Sequence, residues 1–305
     1  MIGILTFAYG APAASMDDLE AYYMHIHKKK AQSAEKIEQM KDQFRQIAVG
    51  DTLGSITKRQ IKALETTLQC YFQEPVKGYA AYKHTSPFVE DVVEQMINDG
   101  VTKMITIPIK PLYSKSGYVY YQVLVRQALN IERWHDHPSL VNVLSNRVRT
   151  AWDWLPRDMK DDATVIFTSH SLPGRPETHH AFENQFTELA GLIANQANTP
   201  QWRISYRSGG TSQSEMWLGP DIKEVIEQEA QRGCKGIIIC ELLSLTSNVE
   251  AAFDVGYDIQ PICHEKGMEF FKTAMVDDSF DFIIALTKII QDKVAESDFL
   301  EHPTP

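Results

Sequence analysis

The sequence predicts an α/β protein with parallel sheets, built as two halves of similar architecture. Short apolar runs alternate with longer amphipathic segments, the pattern typical of parallel βαβ units. The strand–helix order then restarts, which divides the chain into residues 1–145 and 146–278, and a last helix at 279–297 is expected to pack back on the first half. The length of 305 residues also suits about two domains.

The composition excludes several classes of protein and of binding partner. The chain is 43% hydrophobic, enough for a sizeable core, and its net charge of −10 argues against nucleic acid. No apolar run approaches the ~20 residues that span a bilayer, and the first residues lack the features of a secretory signal. The four cysteines contain no Cys-x-x-Cys pair, so we expect reduced thiols and no iron–sulfur cluster. A cytoplasmic protein without a transmembrane segment is expected.

In the first half, buried strands are predicted at residues 2–8, 76–82 and 104–109, each followed by a polar or Gly/Pro break. Helical spacing predicts five helices. They occupy residues 15–48, 57–72, 88–98, 117–129 and 140–154. Ser15 provides a start signal for the first of them, and Gly100 a stop signal for the third.

The second half repeats this arrangement. Strands are predicted at residues 164–167, 202–206, 236–240 and 267–275. Helices are predicted at residues 181–196, 220–231, 247–257 and 280–295. Pro220 is expected in the first turn of its helix, a position that tolerates proline. The space between the two halves is the expected binding cleft.

Two polar rings follow buried strands at their carboxyl ends. Tyr9 follows the first strand, and His170 follows the strand that opens the second half. Ligands of open α/β sheets bind in the crevice outside the carboxyl ends of the strands. His170 is therefore a candidate for chemistry. The alternative is a strand-end histidine that only bonds its neighbours Ser169 and Ser171.

Three carboxylates are spaced four residues apart, at Glu250, Asp254 and Asp258. On a helix this spacing places them on one face, where like charges repel. Such a row is easier to understand if cations visit it, although a solvated acidic face is the alternative. Gly256 interrupts the row, and an irregular or π-bulged turn is expected there.

An imidazole and a carboxylate that face each other across a cleft suit a divalent cation such as iron or zinc. Permanent structural sites normally take about four protein ligands. Two ligands, His170 and Glu250, instead suit a cation that is delivered and passed on, or a proton that is removed.

Five stretches of the chain, in order, resemble the ferrochelatase family. They are Ala8-Tyr-Gly-Ala-Pro12, Tyr82-Lys-His-Thr-Ser-Pro-Phe-Val-Glu-Asp91, Thr168-Ser-His-Ser-Leu-Pro173, Trp217-Leu-Gly-Pro-Asp221 and Ser247-Asn-Val-Glu-Ala-Ala-Phe-Asp254. The spacing is most similar to the soluble, monomeric coproporphyrin III ferrochelatases of Gram-positive bacteria. The resemblance implies two Rossmann-like domains with parallel sheets and a porphyrin cleft between them, a class II chelatase-like fold. It also implies insertion of ferrous iron into a porphyrin.

By this resemblance, His170 and Glu250 match the metal-binding and proton-accepting pair, and Asp254 and Asp258 match an acidic row that feeds metal. The positions that match porphyrin-contacting residues are Tyr9, Ile26, His27, Lys28, Gln43, Phe44, Asp51, His84 and Tyr121. Iron is then a substrate, with no permanently bound cofactor. We expect a monomer that acts on porphyrin and ferrous iron, with an iron donor or a haem acceptor protein as a further partner.

The sequence departs from the family pattern at several positions. Asn248 stands where the family carries a second histidine, and His27 and Gln43 stand where arginines are expected to hold propionates. Residues 28–30 are lysines that supply charge without arginine's bidentate fork. These departures keep a second hypothesis open, a non-catalytic relative that binds iron, porphyrin or haem for transport or delivery. A third is a class II chelatase that inserts cobalt or nickel into another tetrapyrrole.

Overall fold

The computed structural model describes residues 1–10, 18–27, 33–47, 52–114, 128–174, 176–209 and 217–300. Within them the chain forms two four-stranded sheets, and every pair of neighbouring strands is parallel. The predicted α/β class, with parallel sheets in both halves, is confirmed.

The first sheet has the strand order β2-β1-β3-β4. Its strands are β1 (Ile2–Ala8), β2 (Val76–Tyr82), β3 (Lys103–Pro108) and β4 (Leu129–Asn130). The first two have the predicted bounds. β4 was not predicted, because the sequence pattern placed residue 129 at the end of a helix. A strand of two residues is too short to show a detectable periodicity. Residues 117–127 of that predicted helix lie outside the described residues.

Within the described residues, four helices lie between β1 and β3. They are α1 (Leu19–Ile26), α2 (Ala34–Ile47), α3 (Thr52–Gln69) and α4 (Val89–Asn98). The single helix predicted at 15–48 is wrong. α1 ends at His27, and α2 starts after Ser33, whose hydroxyl accepts the N–H of Lys36 at 3.2 Å. Ser33 is thus a second start signal inside the charged run.

The second sheet has the strand order β6-β5-β7-β8. Its strands are β5 (Ala163–His170), β6 (Trp202–Arg207), β7 (Gly236–Glu241) and β8 (Glu269–Lys272). The remaining helices are α5 (Pro138–Trp154), α6 (His180–Ala197), α7 (Ile222–Gln231), α8 (Val249–Ala252), α9 (Gln260–Glu265) and α10 (Phe280–Ala295). A π-helix, Phe253–Ile259, joins α8 to α9, which confirms the irregular turn expected at Gly256.

Two predicted bounds in this half are wrong for local reasons. Pro220 lies before α7, which starts only after Asp221. The carbonyl of Pro220 instead accepts the N–H of Tyr206 at 2.9 Å. The Asp221 carboxylate caps α7 by accepting the N–H of Lys223 at 2.8 Å. β8 is shorter than residues 267–275, because Gly267, at φ +72°, closes the end of α9.

One apolar core runs through both sheets, with Ile4 of β1 and Phe167 of β5 in the same buried cluster. α10 contacts both α3 and α5, and the hydroxyls of Thr67 and Thr287 lie 2.7 Å apart between α3 and α10. The last helix therefore contacts the first half directly. None of the described helices is long and apolar enough to cross a bilayer.

Candidate active site

His170 is the last residue of β5, and local bonds set the direction of its ring. Its Nδ1 donates a hydrogen bond to the carbonyl of Ser171. Ser171 is in turn held at the edge of the sheet, because its N–H donates to the Arg207 carbonyl at 2.8 Å. Because a carbonyl only accepts, Nδ1 carries the proton and Nε2 faces the cleft. A fixed Nδ1–H of this kind is the usual orientation of a metal-binding or proton-accepting histidine.

Glu250 lies in the first turn of α8, just beyond the carboxyl end of β7. Asn248 caps that helix, since its side-chain oxygen accepts the N–H of Ala251 at 2.9 Å. The loop before it is tied to two other parts of the chain: Gln60 of α3 donates to the Thr246 hydroxyl at 3.1 Å, and Asp277 accepts the Ser247 N–H at 2.7 Å. Asn248 thus has a structural task in presenting Glu250.

The two side chains meet, with Nε2 of His170 3.2 Å from Oε1 of Glu250. Burial alone would lower the pKa of His170, but the Glu250 carboxylate raises it above its ordinary value. Burial alone would raise the pKa of Glu250, but His170 first and then Arg207 and Lys110 lower it to about 2. Both shifts favour the charged form of their group, the imidazolium of His170 and the carboxylate of Glu250. Water still reaches it, because 57% of the Glu250 side chain is exposed.

Behind this pair lies a buried arginine, Arg207, whose side chain is 2% exposed. Its Nε donates to Glu241 at 2.9 Å and its Nη1 donates to Asp254 at 2.8 Å. Asp254 also accepts the hydroxyl of Ser208. Arg207 therefore joins the ends of β6 and β7 to the first turn of the π-helix. We call His170, Arg207, Glu250 and Asp254 the acidic wall.

The row of carboxylates is present on the helix, but two of its members have cationic partners. Asp254 bonds Arg207 and is 18% exposed, whereas Asp258 bonds Nζ of Lys223 at 3.0 Å and is 44% exposed. Burial raises the pKa of Asp254, and the Glu250 charge adds to that, against the effect of Arg207. Asp258 and its exposed partner Lys223 can therefore separate more readily than Asp254 and buried Arg207.

The groups of the first half whose charges interact with Glu250 lie at the carboxyl edge of the first sheet, and this edge is basic. Tyr9, 39% exposed, lies 4.4 Å from His84 between ring centroids. The Nζ atoms of Lys110 and Lys83 lie 5.4 and 6.0 Å from the centroid of the same tyrosine ring. We call Tyr9, Lys83, His84 and Lys110 the basic wall.

The charges of the two walls act on each other. Burial, and then the Glu250 carboxylate, raise the pKa of Tyr9 to about 12. Burial and the neighbouring Lys83 lower the pKa of Lys110 to about 8, although Glu250 acts in the other direction. Burial, and then the charges around it, lower the pKa of His84 to about 3, so this ring is neutral near neutral pH. Its Nδ1 lies 3.0 Å from Nδ1 of His25.

The other predicted porphyrin contacts lie on two helices of the first half. Ile26 and His27 are half-buried at the end of α1, and Gln43 and Phe44 are half-buried on α2, which contacts α8 and the π-helix. The remaining three predicted contacts lie outside the described residues. They are Lys28, Asp51 and Tyr121.

The donor set at the acidic wall suits a cation in transit. Across the described ranges, no group of three or more His, Cys, Asp or Glu side chains could hold a metal ion. His170 and Glu250 alone supply one imidazole nitrogen and one carboxylate, fewer than the usual four ligands of a structural site.

The sequence analysis missed Arg207, Glu241 and Lys110. All three had a usable signal, since Arg207 ends β6, Glu241 ends β7 and Lys110 follows β3, which places them at the carboxyl edge of a parallel sheet. The pairing of Glu241 with Arg207 lacked one, because the two residues are 34 positions apart in the chain.

The pattern of the family named Ferrochelatase matches residues 1–294. The chain belongs to the ferrochelatase family. A ferrochelatase of Deinococcus radiodurans is 30% identical over 308 residues, covering 97% of this chain and 96% of that relative. Coproporphyrin III ferrochelatase 2 of Bacillus cereus is also 30% identical, covering 97% of this chain and 95% of the relative.

Solved structures agree on the fold. SirB from Bacillus subtilis with Fe3+ superposes with a TM-score of 0.59 at 11% identity, covering 97% of both chains. CbiX, described as the terminal enzyme of sirohaem biosynthesis in denitrifying bacteria, has a TM-score of 0.51 at 10% identity, covering 95% of this chain and 98% of that one. The family member described here thus has the fold of the class II chelatases, as the resemblance implied.

Proposed function

We propose that this protein is a ferrochelatase that inserts ferrous iron into coproporphyrin III, or into a related porphyrin with carboxylate side chains, in haem biosynthesis in the cytoplasm. The observation that carries the proposal is the contact of His170 Nε2 with Glu250 at 3.2 Å, at the carboxyl ends of neighbouring strands. Relatives in Bacillus cereus and Bacillus subtilis, named coproporphyrin III ferrochelatases, support the choice of porphyrin.

In this proposal the pair handles both the iron and the protons. With Nδ1–H held by the Ser171 carbonyl, Nε2 has a single lone pair that takes either an iron ion or a proton. Iron binding to Nε2 and a Glu250 oxygen displaces the Nε2 proton to water, and the ion then passes into the macrocycle. Nε2 is then free to accept a proton from a pyrrole N–H, because Glu250 stabilises the imidazolium that forms.

The reaction exchanges one dication for two protons. Each pyrrole proton reaches the pair in turn and leaves through the Glu250 carboxylate, which is 57% exposed to water. Ferrous iron enters as a substrate and leaves within the metallated porphyrin. We further propose that Asp258 and Asp254 supply negative charge along the route by which iron approaches.

The proposal is tested anaerobically with purified protein, ferrous iron and coproporphyrin III. Loss of free-porphyrin fluorescence and growth of the haem absorbance band report insertion. His170→Ala should abolish insertion while the fold is retained. His180→Ala is the matched control, because this histidine of α6 is 71% exposed and outside the two walls. Insertion by wild type and by His180→Ala, but not by His170→Ala, supports the proposal.

Two other results would contradict it. Wild-type turnover in His170→Ala would mean that the chemistry takes place elsewhere. Porphyrin binding without any insertion by the wild-type protein would favour the second hypothesis, a carrier, for which Asn248 in the place of the family's second histidine is the motivating departure.

A further inference from the structure

Lys110 is a partly buried lysine beside an aromatic ring. It follows β3 at the carboxyl edge of the first sheet, between buried Ile109 and buried Pro111, and its side chain is half-buried. Its Nζ lies 5.4 Å from the centre of the Tyr9 ring. The position is therefore set by the strand end and by an aromatic neighbour.

The charge of Lys110 is not balanced by a salt bridge. Among the described residues, no carboxylate forms an ion pair with its ammonium group, and Glu250, the carboxylate whose field reaches it, is already paired with His170. A second ammonium, that of Lys83, lies against the same ring. Removing an ammonium from water without a counter-charge is unfavourable, so this arrangement lowers the stability of the ligand-free protein.

A ligand that carries a negative charge would explain why the ammonium of Lys110 lacks a counter-charge. A cation would be repelled, and a neutral group would leave the ammonium unbalanced. A carboxylate would both neutralise it and form a charge-assisted hydrogen bond. The cations of the facing acidic wall are already paired with carboxylates of the protein, so the two walls together orient a flat ligand that carries anionic side chains.

We propose that Lys110 forms an anion subsite on the basic wall that binds a carboxylate side chain of the tetrapyrrole. This inference rests on the proposed function and deepens it by naming a specificity-determining residue. Charge selects the ligand here: porphyrins with free carboxylates bind, and porphyrins with esterified side chains lose this contact.

The test compares two ligands on three proteins, without iron. Wild type, Lys110→Met and Lys77→Met are titrated with metal-free coproporphyrin III and with its methyl ester, and porphyrin fluorescence is followed. Methionine keeps the apolar stem of lysine and removes the charge. Lys77 is the matched control, because it lies near the amino end of β2 and is paired with Asp99 at 2.7 Å.

Lys110→Met should weaken binding of the free acid by roughly 10- to 100-fold, the effect of one lost charge-assisted bond, and leave binding of the ester within about twofold. Lys77→Met should change neither. The melting temperature of ligand-free Lys110→Met should rise above that of wild type, which shows that weaker binding does not come from loss of the fold.

The inference is overturned if Lys110→Met weakens acid and ester equally, or weakens neither. A fall in the melting temperature of the ligand-free variant would also contradict it, because the ammonium would then be supporting the fold. Failure of the proposed function is visible separately, in the wild-type protein: it would bind neither ligand, or bind the free acid and never insert iron.

Discussion

On the acidic wall, the buried guanidinium of Arg207 lies between Glu241 and Asp254, and His170 contacts Glu250, so each charge has an opposite charge within 3.2 Å. On the basic wall, Lys110 has an aromatic ring beside it and, within the part of the chain that the structure describes, no carboxylate partner. The protein balances the charges of the acidic wall itself, and in our proposal a ligand balances the ammonium of Lys110. Paired charges hold the side chains of the acidic wall in a fixed geometry, whereas the charge of Lys110 suits recognition of an anionic ligand.

The largest difference between the two walls is expected in the rate of iron insertion when a residue of the acidic wall is changed. Glu250→Gln keeps the shape of the side chain but removes the charge that stabilises the imidazolium of His170. We expect insertion to fall by about 10²- to 10⁴-fold, the usual contribution of a positioned acid–base group, with porphyrin binding retained. Single-turnover rates and fluorescence titration measure the two quantities. An insertion rate equal to that of wild type would move the proton acceptor away from the acidic wall.

A second comparison concerns stability, and Arg207 is the residue to change. Arg207→Met leaves the carboxylate of Glu241, which is 5% exposed, without its cation. We expect a loss of about 3–5 kcal/mol in the free energy of unfolding, typical of breaking a buried pair. Urea unfolding measures it.

The double variant Arg207→Met, Glu241→Met is the control for this interpretation. Removing both charges removes the unpaired carboxylate, so the double variant should be more stable than Arg207→Met alone. Additive losses would mean that Arg207 acts through packing and not through its charge.

Sequence reasoning identified the strand ends but could not identify charge partners. β1, β2 and α10 have the bounds expected from apolar periodicity, and the strand-end rule selected His170 and Tyr9. It overlooked Lys110, since a lysine after a strand is usually a solvated residue. The rule also cannot show that Asn248 caps the helix of Glu250, which requires the backbone geometry of that turn.

The basic wall should show the opposite sign of stability change. The pKa of Lys110 is about 8 in the folded protein, below its ordinary 10.5, so the unfolded chain holds the proton more tightly between these values. Stability therefore falls as the pH drops from about 10.5 to about 8 and is constant, for this group, below that. Lys110→Met removes this effect.

We expect Lys110→Met to be more stable than wild type by roughly 1–3 kcal/mol near pH 7, with the difference shrinking towards pH 10. Urea unfolding of both proteins at the two pH values measures it. A pH-independent difference would assign the gain to methionine packing rather than to the removed charge, and the contrast between the walls would lose its electrostatic basis.

The smallest effects are expected at the carboxylates that lead away from Glu250, and they divide the row into two kinds of residue. Asp258, with its exposed partner Lys223, should contribute well under 1 kcal/mol to stability. Asp258→Asn should therefore unfold like wild type, yet raise the apparent KM for iron by a few-fold, because it removes charge from the approach of the cation.

Asp254→Asn should do more to the fold, since Asp254 bonds buried Arg207 and is itself 18% exposed. Changing both residues should raise the KM for iron more than it weakens porphyrin binding, and added salt should reduce the effect of Asp258→Asn because an exposed charge is screened. An iron KM unchanged in all three variants would make the row a structural feature: one carboxylate that anchors Arg207, and one that forms a solvated ion pair. Only His170 and Glu250 would then handle the metal on the acidic wall.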